Sequence, residues 1–387
     1  MSSANPLEAR IRRRLAEWEA AGLLRTLRPP SGVDFSSNDY LNLSTHPRIL
    51  DRLARAVAHH GCGSTGSRLL RGDRAVFGAV ERRFARFKSA ERSLYFSSGY
   101  LANIAVLTSL TERGDIVFSD ERNHASLIDG IRLSRAARVV FPHNDARRLA
   151  ELLSDAPSGG HRFVVVESVY SMDGDVAPLA DYANLCRSAG ATLIVDEAHA
   201  VGIYGATGSG LIEDSELQAD TLLSINTAGK ALGVSGAFAA GPAWAIDYLV
   251  QRARPFVFST APPPALAEAL DASLDVVENE PERRERLKSR VRRVREQLAA
   301  SGIDAAQAGS QIVPIVLGDN DRAVSVAEAL QREGFDVRAI RPPSVPQGTA
   351  RLRVSVNAGL TDDSIDRFAR SVAMALKEVG LCSAGFS

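Results

Sequence analysis

The stretch RFVVVESVYSMDGDVAPLADYANLCRSAGATLIVDEAHAVG, residues 162–202, decides the fold. It holds two short apolar runs, residues 162–168 and 192–197, on either side of a segment with helical spacing of apolar residues, 178–190. Both runs are apolar on both faces, which is typical of parallel strands covered by helices on each side. The stretch therefore predicts a strand–helix–strand unit of an α/β sheet.

The same alternation extends in both directions along the chain. A further helix is predicted at residues 145–156, and further strands are predicted at 93–96, 115–120, 137–141 and 221–226. The fold class predicted from this pattern is α/β, with a mainly parallel central sheet flanked by helices.

The alternation of strands and helices gives way to a different pattern near residue 276. A long charged helix, 278–302, is followed by the strand-like run 310–318, and the pattern then continues with a helix at 321–334 and strands at 335–340 and 350–358. This order predicts a smaller C-terminal α+β domain. The predicted division is an N-terminal helix and extended segment, a large α/β domain and the small domain, at residues 1–45, 46–275 and 276–387.

Composition excludes several classes of protein. Lys and Arg total 46, as do Asp and Glu, so the 387-residue chain has a formal net charge of zero. Nucleic acid and anionic membranes are therefore not expected partners, and no apolar run approaches the roughly 20 residues of a membrane helix. Cys62, Cys186 and Cys382 lack paired spacing, so neither disulfides nor a metal site is predicted. The N-terminal region has no apolar signal core, and a cytoplasmic location is expected.

Polar or glycine residues stand at the ends of five predicted strands, where a sheet of this class binds its ligands. Each of them alone is more simply explained as a helix cap, a turn or a satisfied histidine. Five in register predict one shared site. In chain order the residues are Gly99 and Tyr100, His124, Ser171, Asp196 and His199, and Thr227 with Lys230.

Lys230 lies in SINTAGKALGVSG, residues 224–236, which has no other charge. Small neighbours leave room for a ligand, although a glycine-rich turn with an exposed lysine explains this stretch equally well on its own. With the other strand ends it fits pyridoxal phosphate: Lys230 would form the Schiff base and Asp196 would pair with the pyridinium nitrogen. The other predicted cofactor contacts are phosphate binding by Gly99, Tyr100 and Thr227, ring stacking by His124, and contacts of Ser171 and His199 on the phenolic oxygen side.

Three motifs, DEAHAVG, TAGKALGVSG and SMDGD, resemble the α-oxoamine synthases, which belong to the aspartate-aminotransferase-like (fold type I) enzymes that use pyridoxal phosphate. The resemblance covers about residues 25–375. It implies an acyltransferase that condenses an amino acid with an acyl thioester and releases carbon dioxide. It also implies catalytic roles for Lys230, His124, Asp196 and His199, and substrate contacts by Arg25, His124, Thr349 and Arg353, with Arg353 on the amino acid's carboxylate.

The segment FVFSTAPPP, residues 256–264, is interpreted as an aromatic strand followed by two hydroxyl residues and three prolines. A rigid surface turn is the simplest explanation for Ser259 and Thr260. The resemblance implies more, because the matching hydroxyl in the family reaches the phosphate of the neighbouring subunit. A cofactor contact by Thr260 and a homodimer with shared active sites are therefore expected.

The segments FSSNDYLNLSTHP (35–47) and AIRPPSVPQGTARLR (339–353), with NHASLIDG and VLGDNDRA, are similar to one branch of the family. That branch joins L-alanine to a pimeloyl thioester. The resemblance therefore implies these two substrates, with the acyl group carried on either coenzyme A or an acyl carrier protein.

The chain departs from the family pattern at three places. Phe77 stands where many members have a histidine, and Asn357 replaces a residue that is usually apolar or threonine. The segment before VDFSSNDY, residues 33–40, is also shorter than is usual in the family, which leaves Arg28 as an alternative to Arg25 for the N-terminal substrate arginine.

Three other functions stay open at this point. A sister synthase for glycine, serine or another thioester would keep every cofactor residue. An aminotransferase would share the fold, although the segment RPPSVPQGTARLR, residues 341–353, argues against it. A non-catalytic subunit would be expected to lack Lys230, and a regulator would need a DNA-binding module, for which the roughly 30 residues before the fold are too few.

Overall fold

The computed structural model describes residues 5–304 and 309–380, so that Cys382 lies outside the described residues. The strands are β1 Val33–Asp34, β2 Arg92–Phe96, β3 Ile116–Asp120, β4 Ala137–Phe141, β5 Arg162–Glu167, β6 Thr192–Asp196, β7 Thr221–Thr227, β8 Ala237–Gly241, β9 Ile312–Gly318, β10 Phe335–Asp336, β11 Ala339–Ile340 and β12 Ala350–Ser355. The helices are α1 Pro6–Ala20, α2 Pro47–His60, α3 Ala75–Phe87, α4 Gly99–Leu110, α5 Ala125–Ser134, α6 Ala146–Ser154, α7 Leu179–Ala189, α8 Leu211–Asp214, α9 Ala243–Arg252, α10 Arg254–Val257, α11 Pro264–Asn279, α12 Glu282–Ala300, α13 Asn320–Arg332 and α14 Asp362–Glu378.

The central sheet has seven strands in the order β2-β8-β7-β6-β5-β3-β4. Only β8 runs antiparallel to its neighbours, β2 and β7. The α/β class and the six strands predicted for this region are confirmed. Strand β8 was not predicted because its sequence, AFAAG, has no β-branched residue. Small side chains suit this position, since a Cβ on Gly241 would collide with the backbone oxygen of Leu222.

Side chains of the central strands alternate between two apolar cores, one on each face of the sheet. In β5, Val164 and Val166 join the core that includes α6 and α7, whereas Phe163 and Val165 join the core that includes α4, α5 and α9. Each such buried side chain contributes about 1.5–3 kcal/mol relative to leaving it exposed. Burial on both faces explains why these strands are apolar throughout.

A second, antiparallel sheet has the order β11-β12-β9, and α13 packs against it. The N-terminal segment joins this region, because β1 pairs in parallel with β10. Phe35 then stacks on Phe368 of α14 at a ring-centroid distance of 4.0 Å. Residues from both ends of the chain therefore form one apolar layer beside the central sheet.

Two details differ from the sequence pattern in this region. The run 335–340, predicted as one strand, forms two short strands, β10 and β11. Helix α11 continues without a break across residues 275 and 276, so the division between the large and small domains at that point stays a prediction. Within the described ranges, no helix is long and apolar enough to cross a membrane.

Candidate active site

Lys230 lies three residues beyond the end of β7, in the tight return that leads to the antiparallel strand β8. The return is closed by a backbone hydrogen bond from Ala228 N to Gly236 O of 2.8 Å. Lys230 is half-buried, and its Nζ lies 2.8 Å from His199 Nε2. Burial and, to a smaller extent, the Arg353 charge lower the pKa of Lys230 to about 8, against the opposing effects of Asp196 and Glu167. A lysine with this pKa exchanges protons near neutral pH.

His199 connects this lysine to the N-terminal segment of the chain. Its Nδ1 lies 2.8 Å from the Tyr40 hydroxyl, which itself donates to Asn38 Oδ1. This network assigns the proton to Nδ1 and leaves Nε2 free to accept from Lys230. Burial, followed by the charges of Lys230 and Arg353, lowers the pKa of His199 well below its usual value. The imidazole is therefore neutral.

Arg353, on β12, extends its guanidinium into the same cluster. Its Nε donates to the backbone oxygen of Ser171, its Nη1 to Ser355 Oγ at 2.7 Å and its Nη2 to Tyr40 Oη at 3.3 Å. The residue is only 8% exposed. Among the ion pairs of residues 5–304 and 309–380, none includes Arg353. A buried cation without a carboxylate is costly, and an anionic group would offset that cost.

Asp196 ends β6 and is the acceptor at the centre of a second network. Asn103 Nδ2 donates to Asp196 Oδ2 at 2.7 Å, and Ala198 N donates to Oδ1 at 2.8 Å. The same Asn103 nitrogen donates to Ser126 Oγ, which lies 2.7 Å from His124 Nδ1. Helix α4 and the loop after β3 are therefore both held to the carboxylate at the end of β6.

Glu167 lies beside Asp196, since the two residues are paired in the register of β5 and β6. It is almost fully buried and accepts a hydrogen bond from the backbone N of His124. Burial, and then the nearby Asp196 charge, raise the pKa of Glu167 well above its ordinary value. Burial also lowers the pKa of His124. Both groups are thus held neutral next to Asp196.

The start of α4 forms a cradle with the end of β7. The helix begins at Gly99, and the first backbone N–H groups of a helix have no partner within it. A Cβ on Gly99 would lie 3.3 Å from Thr227 Oγ1, so glycine keeps the cradle open. Tyr100 donates its hydroxyl to Asp129, and its ring lies edge-on to that of His124 with 6.5 Å between the ring centroids. Backbone N–H groups and a hydroxyl at a helix start suit a phosphate.

The structure therefore gathers most of the predicted site at the carboxyl end of the sheet, although the role of each residue stays a prediction. It also adds residues that sequence reasoning missed, namely Asn38, Tyr40, Asn103 and Glu167. Asn103 follows Gly99 by one helical turn, which is the one available sequence signal among these four. Tyr40 follows no strand of the central sheet, so its approach to His199 depends on the tertiary fold.

Arg25 and Thr349 lie in more exposed surroundings. Arg25 lines a cavity of about 610 Å³ between the N-terminal segment and α13, together with Arg28 and Arg341. Arg28 pairs with Glu328 at 3.3 Å, whereas Arg25 makes only a 3.5 Å contact with Ser344 Oγ. Thr349 donates its hydroxyl to its own loop, at Pro346 O.

The segment that carries Thr260 is not a strand, contrary to the sequence interpretation. Residues Arg254–Val257 form the short helix α10, whose first turn contains Pro255. Proline fixes φ near the helical value at a helix start, which explains the difference. Thr260 is exposed, and the next residue is tied by a hydrogen bond from Ala261 N to Gly66 O.

Two departures from the family pattern are explained by packing. Phe77 is fully buried, stacks on Tyr95 and lies under the guanidinium of Arg68 at 4.8 Å. Asn357 donates to Asp34 O at 2.9 Å and accepts from Gly359 N at 3.0 Å, which joins the end of β12 to β1. Neither residue contacts the cluster around Lys230.

Comparison with known proteins agrees with this architecture. The family model for aminotransferase class I and II matches residues 30–372. The chain belongs to this family. A serine palmitoyltransferase from S. paucimobilis, solved with a bound PLP–myriocin aldimine, has 27% sequence identity and a TM-score of 0.91, and the match covers 98% of this chain and 100% of that one.

Curated relatives define the branch more closely. A putative 8-amino-7-oxononanoate synthase from Geobacillus kaustophilus is 42% identical over 96% of both chains. An 8-amino-7-oxononanoate synthase from Azoarcus sp. is 46% identical over 87% of this chain and 86% of its own. A solved 8-amino-7-oxononanoate synthase from Francisella tularensis has a TM-score of 0.78 and 29% identity, and the match covers 90% of this chain and 99% of that one. These relatives place the chain among the 8-amino-7-oxononanoate synthases and confirm the predicted family.

Proposed function

We propose that the chain uses pyridoxal phosphate to condense L-alanine with a pimeloyl thioester. The products are 8-amino-7-oxononanoate, carbon dioxide and the free thiol carrier, as part of biotin biosynthesis. The observation that carries this proposal is that a lysine with a lowered pKa and a buried arginine without a carboxylate partner lie in one hydrogen-bonded cluster, joined through His199 and Tyr40. The relatives named 8-amino-7-oxononanoate synthase supply the choice of substrates. The absence of paired cysteines favours the cytoplasm as its location.

The residues present fit the cofactor, because glycine leaves space for a phosphate between the start of α4 and Thr227. A Cβ at residue 99 would lie 3.3 Å from Thr227 Oγ1 and reduce that space. Gly99, Tyr100 and Thr227 would hold the phosphate, Asp196 the ring nitrogen, His124 the ring face, and Ser171 and His199 the phenolic oxygen side, with Lys230 as the covalent anchor. When bound, pyridoxal phosphate supplies an electron sink for the α-carbon of the amino acid. Asp196 suits this use because it is a buried carboxylate whose charge favours a protonated ring nitrogen.

Lys230 is the base that this site offers to the α-proton of the amino acid. With a pKa of about 8, roughly one molecule in ten has the free amine at pH 7, whereas an ordinary lysine near 10.4 has well under one in a thousand. His199 Nε2, at 2.8 Å, holds the nitrogen in place when it is protonated. The lysine thus keeps both a usable basicity and a fixed position.

Arg353 decides the orientation of the amino acid. Its guanidinium is fixed by three separate acceptors and receives the substrate's carboxylate. A carboxylate fixed in this way determines which bond at the α-carbon faces the cofactor. Selection of the C–H bond for cleavage is therefore a positioning effect, and such effects are large.

The decisive experiment incubates the purified protein and pyridoxal phosphate with L-alanine and pimeloyl thioesters. Coenzyme A and acyl carrier protein are tested in parallel as carriers, and glycine and serine replace alanine in further reactions. We expect 8-amino-7-oxononanoate, identified by mass, from alanine alone. A faster reaction with glycine or serine would instead identify a sister synthase, and no ketone from any donor would refute the condensation.

Arg25, rather than Arg28, is expected to contact the acyl substrate. Arg28 is already paired with Glu328, whereas Arg25 has no carboxylate within ion-pair distance among the described residues. Arg25→Ala should raise the KM for the thioester about tenfold, which corresponds to about 1.4 kcal/mol. Arg28→Ala is the matched control and should change it less than about threefold. Steady-state kinetics with varied thioester distinguishes them, and the reverse order would assign the role to Arg28.

A homodimer with shared active sites is the proposed assembly. Apolar side chains are exposed near Thr260: Leu70 is 84% and Phe258 is 72% exposed. The Ala261–Gly66 hydrogen bond keeps their two segments together. Such a patch favours a protein partner, and a second copy of this chain would place Thr260 against its neighbour's phosphate.

Mixing two inactive variants should restore activity if the sites are shared. Lys230→Ala and Thr260→Asp, co-expressed, give mixed dimers in which one site has both defects and the other has neither. About a quarter of all sites should then work after random pairing. Activity of the separated homodimers and of the mixture is the measurement. Ser188→Asp, an exposed position on α7, replaces Thr260→Asp as the control and should be active by itself. A mixture without recovered activity would mean that Thr260 serves its own chain or none.

A further inference from the structure

Two loops at the carboxyl end of the sheet, other than the return that carries Lys230, lie close to each other. The loop after β3, residues 121–124, carries His124. The loop after β5, residues 171–175, carries Ser171, whose backbone oxygen accepts a hydrogen bond from Arg353. The position of this second loop therefore sets one of the three acceptors that orient the guanidinium of Arg353. A residue that connects the two loops would set the spacing between His124 and Arg353.

His143 makes that connection with both of its ring nitrogens. Nδ1 lies 2.9 Å from Asp120 Oδ1, at the end of β3, and Nε2 bonds Asp175 Oδ2, at the end of the second loop. Asp120 also accepts from the backbone N of Arg122 at 2.8 Å, so it anchors the first loop directly. Neighbouring Asn144 repeats the bridge, because its backbone N donates to Asp120 Oδ2 at 2.9 Å and its Nδ2 to Asp175 Oδ2 at 3.0 Å.

The second loop is held together by hydrogen bonds within its own turn. Tyr170 N donates to Asp175 O at 3.0 Å, and Gly174 N donates to Tyr170 O at 2.9 Å. Gly174 has φ of +71°, and a Cβ there would collide with the backbone oxygen of Ile312. The loop is thus a tight turn that moves as one unit, so a shift at Asp175 is passed on to the Ser171 carbonyl.

We propose that His143 is a positioning residue: its ring joins Asp120 to Asp175 and thereby holds the Ser171 carbonyl where Arg353 needs it to receive the amino acid's carboxylate. This inference rests on the proposed function for the identity of the carboxylate. His143 does not itself touch the substrate, and its effect reaches the site through the turn and Arg353.

The charge of His143 explains why a histidine is needed. Burial alone would lower the pKa of His143, but hydrogen bonds to Asp120 and Asp175 outweigh it and raise the pKa to about 9. The ring is therefore a cation at neutral pH and balances two carboxylates, of which Asp120 is fully buried. The other groups that face it are Tyr170, whose ring lies 4.4 Å away edge-on, and Tyr182, which bonds Asn144. Both are neutral phenols, since burial raises the pKa of each.

The sign of the pH effect follows from the raised pKa. The bridge is complete below the ordinary histidine pKa of about 6.5 and is lost as pH rises through about 9. The KM for alanine in the wild-type enzyme should therefore rise between pH 8 and pH 10. The dependence of kcat on Lys230, with its pKa of about 8, is a separate effect and should be the same in the variants below.

The test compares His143→Gln with His161→Gln in the holoenzyme. His161 is also bonded through its ring, to Thr192 Oγ1, but it precedes β5 at the opposite end of the sheet. His143→Gln should raise the KM for alanine about tenfold at pH 7.5, or about 1.4 kcal/mol, with little change in the KM for the thioester. Between pH 8 and pH 10 its KM for alanine should rise less than that of the wild type, because the amino group of alanine titrates in both proteins but the bridge is lost only in the wild type. The control should match the wild type in both respects.

A charge-compensating double variant separates positioning from simple destabilisation. In His143→Gln the carboxylates of Asp120 and Asp175 face each other without a cation, and adding Asp175→Asn removes one of the charges. The double variant should recover most of the affinity for alanine. Loss of thermal stability with an unchanged KM for alanine, or equal losses in both KM values, would overturn the proposal, as would a wild-type pH dependence in His143→Gln.

Binding of alanine is also read without turnover, from the change in visible absorption of the bound cofactor on titration. If the wild-type protein forms no ketone from any thioester, the proposed condensation fails. The weaker alanine titration of His143→Gln, compared with His161→Gln, would still support the positioning role. An identical titration in the two variants would refute that role whatever the reaction is.

Discussion

Lys230→Ala is expected to lower turnover by at least about a thousandfold, which corresponds to about 4 kcal/mol of activation free energy. The substitution removes the proposed covalent anchor of the cofactor and the proposed base, the amine that lies 2.8 Å from His199 Nε2. The near-visible absorption of the bound cofactor should change at the same time. The fold should be kept, because Lys230 is half-buried among mostly small residues of the return and is not part of an apolar core. Ketone production, visible absorption and thermal unfolding are the measurements.

Lys288→Ala is the matched control for this variant. Lys288 lies on the exposed face of α12, where it pairs with Glu285 at 2.9 Å. Such a surface pair contributes little to stability, and the control should keep wild-type activity and absorption. A Lys230→Ala variant that still releases product near the wild-type rate would refute the proposed mechanism.

Asp196→Asn should lower activity by at least about a hundredfold, or about 2.7 kcal/mol. The amide cannot stabilise a protonated ring nitrogen by charge. A second cause is local: Asn103 Nδ2 donates to one Asp196 oxygen and Ala198 N donates to the other. Whichever way the new amide turns, its NH₂ group meets a donor, so one hydrogen bond is lost, either that from Asn103 or that from Ala198.

The second effect is separable by mutation. Asp196→Asn combined with Asn103→Asp restores a donor–acceptor pair without restoring the charge at residue 196. If the ring nitrogen needs that charge, the double variant should stay nearly as inactive as the single one. Asp181→Asn, on the exposed start of α7, should have full activity. A loss of less than about tenfold in Asp196→Asn would exclude the electron-sink role for this residue.

The sequence predicted the part of the fold that depends on local pattern. Strands such as β5 and β6 are apolar on both faces, and no other common element has that pattern over so short a length. Strand β8 was not predicted because AFAAG is as compatible with a turn or a helix as with a strand. It forms a strand because the tertiary fold pairs it with β2 and β7. Helix α10 was not predicted because aromatic residues are typical of strands. The structure forms a helix there because Pro255 favours a helix start.

The candidate site was predicted where each residue closely follows a strand, as with Asp196 and Lys230. The rule that ligands bind at the carboxyl ends of strands is sufficient for such residues. It gives no information about Tyr40, which the tertiary fold brings to His199 from the N-terminal segment, 159 residues earlier in the chain. It is equally silent on Glu167 as a neutral acid, since that state depends on burial and on its pairing with Asp196 in the sheet.

The hydrogen bonds around Arg353 have a consequence for the order in which the protein matures during synthesis. The residues proposed to hold the cofactor of their own chain all lie between Gly99 and Lys230, so they are synthesised one after another. Arg353 follows Ser171 by 182 residues. Arg353 also meets Tyr40 across 313 residues. Contacts over such separations form late because long loops must close first. A nascent chain is therefore expected to complete the proposed carboxylate receptor around Arg353 last, after it has formed the elements proposed to hold the cofactor.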